Sequence, residues 1–244
     1  MSDLNARDFA TQRTTGMAID QGLRSYMLKV YNYMTTGLLM TAFVGYLIAN
    51  TPLFNLFYTL QGNVYTLNVL GWIAVISPLI LVFAINPVIA SGRMKAAFLV
   101  FMLFSALMGV SLANVLLAYT GVSVARIFFI TAAMFAAMSL YGYTTKKDLT
   151  GMGSFLMMGL IGIIIAMVVN WFLKSPALYY GISIIGVFIF VGLTAYDTQK
   201  IRQMYYAGDA QNVMMSKAVM GALSLYLDFI NLFFMLISLF GDRR

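Results

Sequence analysis

The sequence predicts an all-α integral membrane protein with seven transmembrane helices. Of its 244 residues, 61% are hydrophobic and 9% charged, with a mean hydropathy of +0.87, whereas an ordinary soluble domain has about 25% charged residues. Seven long apolar runs follow one another along the chain. None shows the alternation over about 10 residues that is typical of a membrane β-barrel. Lipid must therefore be the solvent of this chain, and helices must span it.

The apolar runs define the elements in chain order. A helix needs about 20 apolar residues to cross the hydrocarbon core, and each run is close to that length; they are residues 33–49, 67–85, 97–118, 124–142, 153–172, 178–196 and 218–240. Residues 1–28 are polar and are expected to form a cytoplasmic tail, so that residues 29–244 form the membrane domain. Pro78 predicts a kink in the second helix, and Pro87 predicts its end.

The basic residues predict the orientation. Cytoplasmic loops of membrane proteins contain an excess of Lys and Arg. With a cytoplasmic N-terminus and seven spans, eleven basic residues lie inside and four outside. The inside set is Arg7, Arg13, Arg24, Lys29, Arg93, Lys95, Lys146, Lys147, Lys200, Arg202 and Lys217, and the outside set is Arg126, Lys174, Arg243 and Arg244. The N-terminus is therefore expected in the cytoplasm and the C-terminus on the other side of the membrane. The net charge of +7 is explained mainly by this bias and needs no nucleic acid.

Missing residue types exclude several function classes. The chain contains no His and no Cys. This excludes the usual zinc and haem ligands, disulfides, and nucleophiles activated by His. A phosphate-binding GxxxxGK[ST] loop is also missing. We therefore expect neither an enzyme nor a cofactor.

Two aspartates are the acidic residues that touch the predicted spans. The chain has no Glu, and six of its eight Asp lie in the tail, the loops or the C-terminus. Asp197 ends the sixth run, where it could cap the next helical turn or pair with Lys200 or Arg202. The preceding Tyr196 is a candidate helper.

Asp228 lies about ten residues, or roughly 15 Å, into the seventh run. It is either a satisfied core carboxylate, held by Ser224, Asn231 or a Tyr hydroxyl, or part of a functional site, as intramembrane acids usually are. The sequence does not establish that Asp197 and Asp228 share a depth. If they meet, two carboxylates in a poor dielectric cannot both ionise and must share a proton. The protonated pair is a neutral latch between helices, whereas the deprotonated pair repels itself and attracts a cation. Calcium favours such hard oxygen ligands.

Two motifs give the chain a family resemblance. The segments "GLTAYDTQKIRQMYYAGD" and "ALSLYLDFINLFFMLISLFG" contain the two aspartates and resemble the end of the Bax inhibitor motif family, in particular its bacterial members. The resemblance covers about residues 25–241. It implies six helices wrapped around a central seventh, a location in the inner membrane of a bacterial cell, and a pH-sensitive calcium leak. It also implies that Asp197 and Asp228 are the sensor and gate and contact Ca²⁺ transiently. An arginine at the end of the second helix latches an aspartate in the calcium-leak members, and Arg93 is the candidate here.

Two alternative functions remain open. The chain could be a non-transporting membrane protein that binds proteases or other membrane-protein partners, with the aspartates in a structural role. It could also be a presenilin-like intramembrane protease, because "TAYD" is similar to the first motif of that family. The second motif of that family, Gly-x-Gly-Asp, is replaced here by "LYLD", and seven spans are fewer than its nine.

Overall fold

A computed structural model describes residues 2–61, 64–90 and 94–244. The described chain forms eight helices and one β-hairpin: α1 (Ser2–Asn50), α2 (Phe54–Phe57), β1 (Tyr58–Gln61), β2 (Val64–Leu67), α3 (Val69–Ala90), α4 (Met94–Ala118), α5 (Gly121–Thr144), α6 (Thr150–Leu173), α7 (Pro176–Gln203) and α8 (Gln211–Phe240). Among the described residues, the five helices α4–α8 are long and apolar enough to cross a membrane, and α3 contains a shorter apolar segment, Val69–Ile85. The all-α membrane class is therefore confirmed.

Helices α1 and α3 extend beyond the predicted apolar runs. The polar residues expected to form a tail belong to α1, which continues from Ser2 into the first apolar run. Helix α3 continues through Pro87 to Ala90, so the predicted helix end at Pro87 is wrong. Proline removes one backbone hydrogen bond, and membrane helices tolerate this loss where neighbouring groups compensate for it.

A β-hairpin occupies the connection between α1 and α3. Strands β1 and β2 pair antiparallel, with Tyr58 opposite Leu67. The Tyr58 hydroxyl donates a hydrogen bond of 2.8 Å to the Val110 carbonyl of α4, and its ring stacks on Phe54 with a centroid distance of 4.4 Å. This short hairpin is thereby anchored to the membrane domain.

Local capping explains where α5 and α7 begin. The Thr120 hydroxyl accepts a hydrogen bond of 3.3 Å from the Ser123 N–H at the start of α5, and the Ser175 hydroxyl accepts one from Leu178 N–H at the start of α7. Pro176 occupies the first turn of α7, where its missing N–H has no cost.

Helix α8 is the most buried of the candidate spans. In the most apolar 18-residue segment of α8, 61% of the residues are buried, against 17–44% in the corresponding segments of the other four helices. It packs against α1, α4, α5 and α7, while α3 packs on α4 and α6 on α7. Many large apolar side chains on the outer helices are exposed, including Phe83, Ile161 and Phe172. These faces suit contact with lipid tails.

The loop between α7 and α8 is shorter than predicted. Helix α7 continues past Asp197 to Gln203, and α8 begins at Gln211. Asp197 therefore lies inside a helix, and the interpretation that it caps a new turn is wrong. Lys200 and Arg202 occupy the last turn of α7, where cations interact favourably with the helix dipole.

Candidate functional site

Asp228 is a buried carboxylate on the most buried helix. Its side chain is 5% exposed, and among the described residues its Oδ2 atom has no hydrogen-bond partner. The Asn231 amide instead donates to the Leu227 carbonyl at 2.8 Å. Ser224 lies half-buried one turn before Asp228 on the same helix. One oxygen of the buried Asp228 carboxylate thus lacks a hydrogen bond within the described part of the chain. Leaving a buried polar atom without a partner normally costs about 1–3 kcal/mol.

Asp197 lies on α7, which packs against α8. Its side chain is half-buried. The Lys200 ammonium lies 5.8 Å from the ring centroid of Tyr196. The Arg202 guanidinium, the other expected partner of Asp197, donates to the Tyr143 carbonyl at 2.6 Å.

Two contacts fix the register of the antiparallel helices α7 and α8. Ile201 packs against Gly221, and Met235 packs against Gly186. At this register Asp197 lies level with Ser224, and Asp228 lies about one helical turn deeper, an axial offset of roughly 5 Å. The two aspartates thus occupy neighbouring levels of one helix pair.

Glycines allow the helices to approach closely around Asp197. A Cβ atom added to Gly142 of α5 would lie 2.1 Å from the Ala195 carbonyl oxygen of α7. One added to Gly153 of α6 would lie 2.3 Å from the ring of Tyr196. Helix α7 is therefore clamped between α5 and α6 at the level of Asp197, and the Tyr196 ring forms part of that contact.

A chain of hydroxyl groups connects three helices beside Asp197. The Tyr31 hydroxyl of α1 lies 2.6 Å from Ser139 Oγ of α5, which lies 3.0 Å from Thr198 Oγ1 of α7. Thr198 also donates to the Thr194 carbonyl at 2.7 Å. Sequence reasoning missed these residues, although Thr198 follows Asp197 directly in the quoted motif.

A second set of hydroxyl contacts connects α8 to α1 and α4. The Tyr226 hydroxyl lies 2.7 Å from Thr41 Oγ1, and Thr41 donates to the Ser105 carbonyl at 2.7 Å. The Tyr226 ring meets Phe101 and Phe104 edge to face. The Tyr226 side chain therefore attaches α8 to α1 and α4 at a position two residues before Asp228. Its hydroxyl is hydrogen-bonded to Thr41.

The end of α7 holds the α5–α6 loop. Gln199 Oε1 accepts a hydrogen bond of 2.8 Å from Leu149 N–H, and its Nε2 donates to the Lys147 carbonyl at 2.8 Å. In the same loop, hydrogen bonds from the Thr150 hydroxyl and N–H hold the pKa of Asp148 below its usual range. Arg93, the expected latch, lies outside the described residues.

Three adjoining cavities open at the opposite end of the bundle. Their volumes are about 300, 350 and 540 Å³, and they share Tyr179 and Ser238, whose hydroxyls lie 2.6 Å apart. The innermost cavity reaches Phe234 and Met235, six and seven residues after Asp228, or about 10 Å along α8. Hydrogen bonding to Tyr119 raises the pKa of Arg243 at the outer rim.

The described residues contain no group of three or more His, Cys, Asp or Glu side chains that could hold a metal ion tightly.

Comparison with known proteins places the chain in a family. The family model Bax1-I, "Inhibitor of apoptosis-promoting Bax1", matches residues 23–244. The "Inner membrane protein YbhL" of Escherichia coli K12 is 46% identical over 226 residues, which is 91% of this chain and 94% of that protein. An uncharacterized protein of Caulobacter vibrioides is 43% identical over 250 residues, covering 100% of both chains. The protein RP147 of Rickettsia prowazekii is 45% identical, covering 96% of each.

The match spans both aspartate motifs and nearly all of the helical bundle. The several apolar helices and the inner-membrane relative agree on a multi-pass inner membrane protein. The chain belongs to the Bax inhibitor motif family of membrane proteins.

Proposed function

We propose that this protein is a pH-sensitive cation leak, with calcium as the permeant ion, gated by Asp197 and Asp228. One observation supports this most directly: Asp228 Oδ2 is buried without a hydrogen-bond partner among the described residues, and a second carboxylate, Asp197, lies about one helical turn away on the neighbouring helix. Stability alone does not explain a carboxylate at this position, because a well-packed apolar residue there would avoid the desolvation cost.

The chemistry of the pair follows from its surroundings. Two nearby carboxylates in a poor dielectric cannot both remain ionised without a compensating positive charge. A shared proton supplies that charge, and so does a passing cation. Protons and calcium therefore compete for Asp197 and Asp228, and occupancy by either depends on pH.

Other titratable groups surround this pair and share its environment. Lys200 lies three residues after Asp197 on the same helix. Tyr31 of α1 reaches Thr198 through Ser139, Tyr143 of α5 lies under the Arg202 guanidinium, and Tyr226 is held by Thr41. We assign the pH response to the carboxylates because they are the groups whose negative charges a proton or a cation would neutralise.

We propose that the route for the ion is closed at both ends in this conformation. Phe234 and Met235 line the innermost cavity at one end and lie between Ser238 and Asp228 along α8. At the other end, Gln199 holds the α5–α6 loop over the end of α7. We propose that Arg93 strengthens this closure as a latch.

We further propose the topology that the sequence predicts: seven spans, with α8 at the centre of the other six, the N-terminus in the cytoplasm and the C-terminus outside. The contacts of α8 with four helices support its central position. The α5–α6 loop, with Lys146 and Lys147, and the last turn of α7, with Lys200 and Arg202, lie at one end of the bundle and are joined by Gln199, which supports one cytoplasmic face. The leak requires no cofactor and no enzymatic step.

Calcium flux into liposomes containing the purified protein tests the proposal. The flux is measured from about pH 6 to pH 8 for the original chain, Asp197→Asn and Asp228→Asn. Asp148→Asn is the matched control, because it removes an exposed carboxylate outside the spans. We expect a pH-dependent flux in the original chain and the control, and loss of the pH dependence in both site variants.

Absence of flux at every pH, with all four proteins folded, would contradict the leak. That result would favour a non-transporting modulator that binds membrane-protein partners, with the aspartates in a structural role. Cleavage of a substrate helix by the purified protein, lost in both Asn variants, would instead favour the intramembrane protease.

A further inference from the structure

We propose that the groove between α1 and α5 binds one anionic phospholipid, with an acyl chain between the two helices and the phosphate beside Arg24. This inference concerns a different part of the molecule from the carboxylate pair. It does not depend on whether the protein conducts ions.

The groove has an apolar wall on each side. Its volume is about 520 Å³, within the range of roughly 300–1,000 Å³ that is usual for ligand pockets. Met27 and Leu28 of α1 form one wall, and Phe135, Ala136 and Leu140 of α5 form the other. Leu28, Ala136 and Leu140 are exposed, so the groove opens toward the lipid side of the bundle.

Helix α8 and a polar bridge close the floor of the groove. Helices α1 and α5 both pack against α8, and Phe135 meets Phe229 of α8 at a centroid distance of 5.6 Å. Tyr31 and Ser139, 2.6 Å apart, join the two walls. The groove is thus a slot between two helices, as an extended hydrocarbon chain requires, rather than a flat patch.

Positive charge is concentrated at one end of the slot. Arg24 lines the groove there and is exposed. Next to it, a polar cavity of about 580 Å³ begins at the adjacent residue Leu23 and contains Lys146, Lys147 and Arg202. Within the described side chains, the ion pairs are Arg126–Asp242 and Lys217–Asp209, so none of these four cations belongs to one.

One acidic residue, Asp148, lines the same polar cavity. Its carboxylate accepts hydrogen bonds from Thr150 at 2.6 and 2.9 Å. Among the described side chains that line the groove and this cavity, four cations against one carboxylate leave this end positive. Basic pockets between membrane helices attract anionic headgroups, and the Arg guanidinium matches phosphate geometry with two parallel hydrogen bonds.

The combination of features selects the occupant. A free anion would use the basic end and leave the apolar slot empty, whereas a neutral lipid would use the slot without the cations. Only an anionic amphiphile complements both, and a membrane protein meets such molecules in its own solvent.

Native mass spectrometry of the full-length protein in detergent tests this, with phosphatidylglycerol and phosphatidylcholine of identical acyl chains as probes. Arg24→Gln removes the charge, and Lys29→Gln on the same helix is its control, because Lys29 does not line the groove. Ala136→Trp fills the slot, and Ala137→Trp is its control at the next, equally exposed position of α5.

The original chain is expected to retain phosphatidylglycerol in preference to phosphatidylcholine. Arg24→Gln should weaken phosphatidylglycerol binding about fivefold, as expected for one cation near an anionic headgroup, and leave phosphatidylcholine unchanged. Ala136→Trp should reduce retention of both lipids, while both control variants should bind as the original does.

Equal retention of the two lipids by the original chain would overturn the proposal. So would equal effects of Arg24→Gln and Lys29→Gln. Should Ala136→Trp fail to fold, the comparison of these two conservative variants with both lipids still decides the question.

Discussion

Replacing Gly142 with alanine tests the close approach of α5 and α7 beside Asp197. The added Cβ atom would lie 2.1 Å from the Ala195 carbonyl oxygen and 2.9 Å from the carbonyl carbon. Ordinary contacts between such atoms lie near 3.5 Å. Because the obstacle is backbone, no side-chain rotation relieves the clash, and the helices must separate locally by more than about 1 Å.

The expected loss of stability is the balance of two effects. Overpacking of this kind costs about 1–3 kcal/mol, and a rigid backbone obstacle places Gly142→Ala at the upper end. Replacing a helical glycine with alanine returns about 1 kcal/mol. We therefore expect a net loss of about 2 kcal/mol, or a Tm lower by roughly 4–8 °C for a chain of this length.

Thermal unfolding in detergent measures this difference, with Gly162→Ala as the matched control. Gly162 lies within α6, and an added Cβ there meets nothing within 4 Å, so its Tm should rise slightly. Because Ala195 lies two residues before Asp197, Gly142→Ala should also alter the pH dependence of calcium flux, whereas Gly162→Ala should not. A Tm for Gly142→Ala equal to or above that of Gly162→Ala would refute the described packing of α5 against α7.

Two further substitutions test single hydrogen bonds. Tyr226→Phe removes the hydroxyl bonded to Thr41, while Thr41 keeps its bond to the α4 backbone; the free energy of unfolding should fall by about 1 kcal/mol, and no change in chemical denaturation would contradict this contact. Gln199→Ala leaves the buried Leu149 N–H without its acceptor, which should free the α5–α6 loop and speed tryptic cleavage after Lys147. Cleavage at the original rate would show that Gln199 does not hold this loop.

Composition and apolar runs predict the helices well because lipid imposes the same demand on every span. The third to fifth runs differ from α4, α5 and α6 by three residues or fewer at each end. The predictions fail where polar residues continue a helix. The segment after Asp197 is polar, yet it remains helical because Thr198 and Gln199 are buried against other elements, a stabilisation that hydropathy does not reveal.

The site was predictable in its residues and less so in its surroundings. Asp228 is conspicuous in the sequence because a carboxylate is rare within a span. Nothing in the sequence around Tyr31 and Ser139 distinguishes them from other polar residues. They form hydrogen bonds in a chain with Thr198 only because three separate helices converge. The axial offset of Asp197 and Asp228 likewise depends on the contacts of Gly221 and Gly186 with the partner helix, which a single sequence does not specify.

The burial of α8 has a consequence for biogenesis. This helix follows all the other long helices in the chain, yet it supplies the surface on which α1, α4, α5 and α7 pack. Until it is inserted, Phe101 and Thr41 lack the Tyr226 side chain that they contact in the finished bundle. The complete bundle can therefore form only when translation has delivered α8 together with its carboxylate.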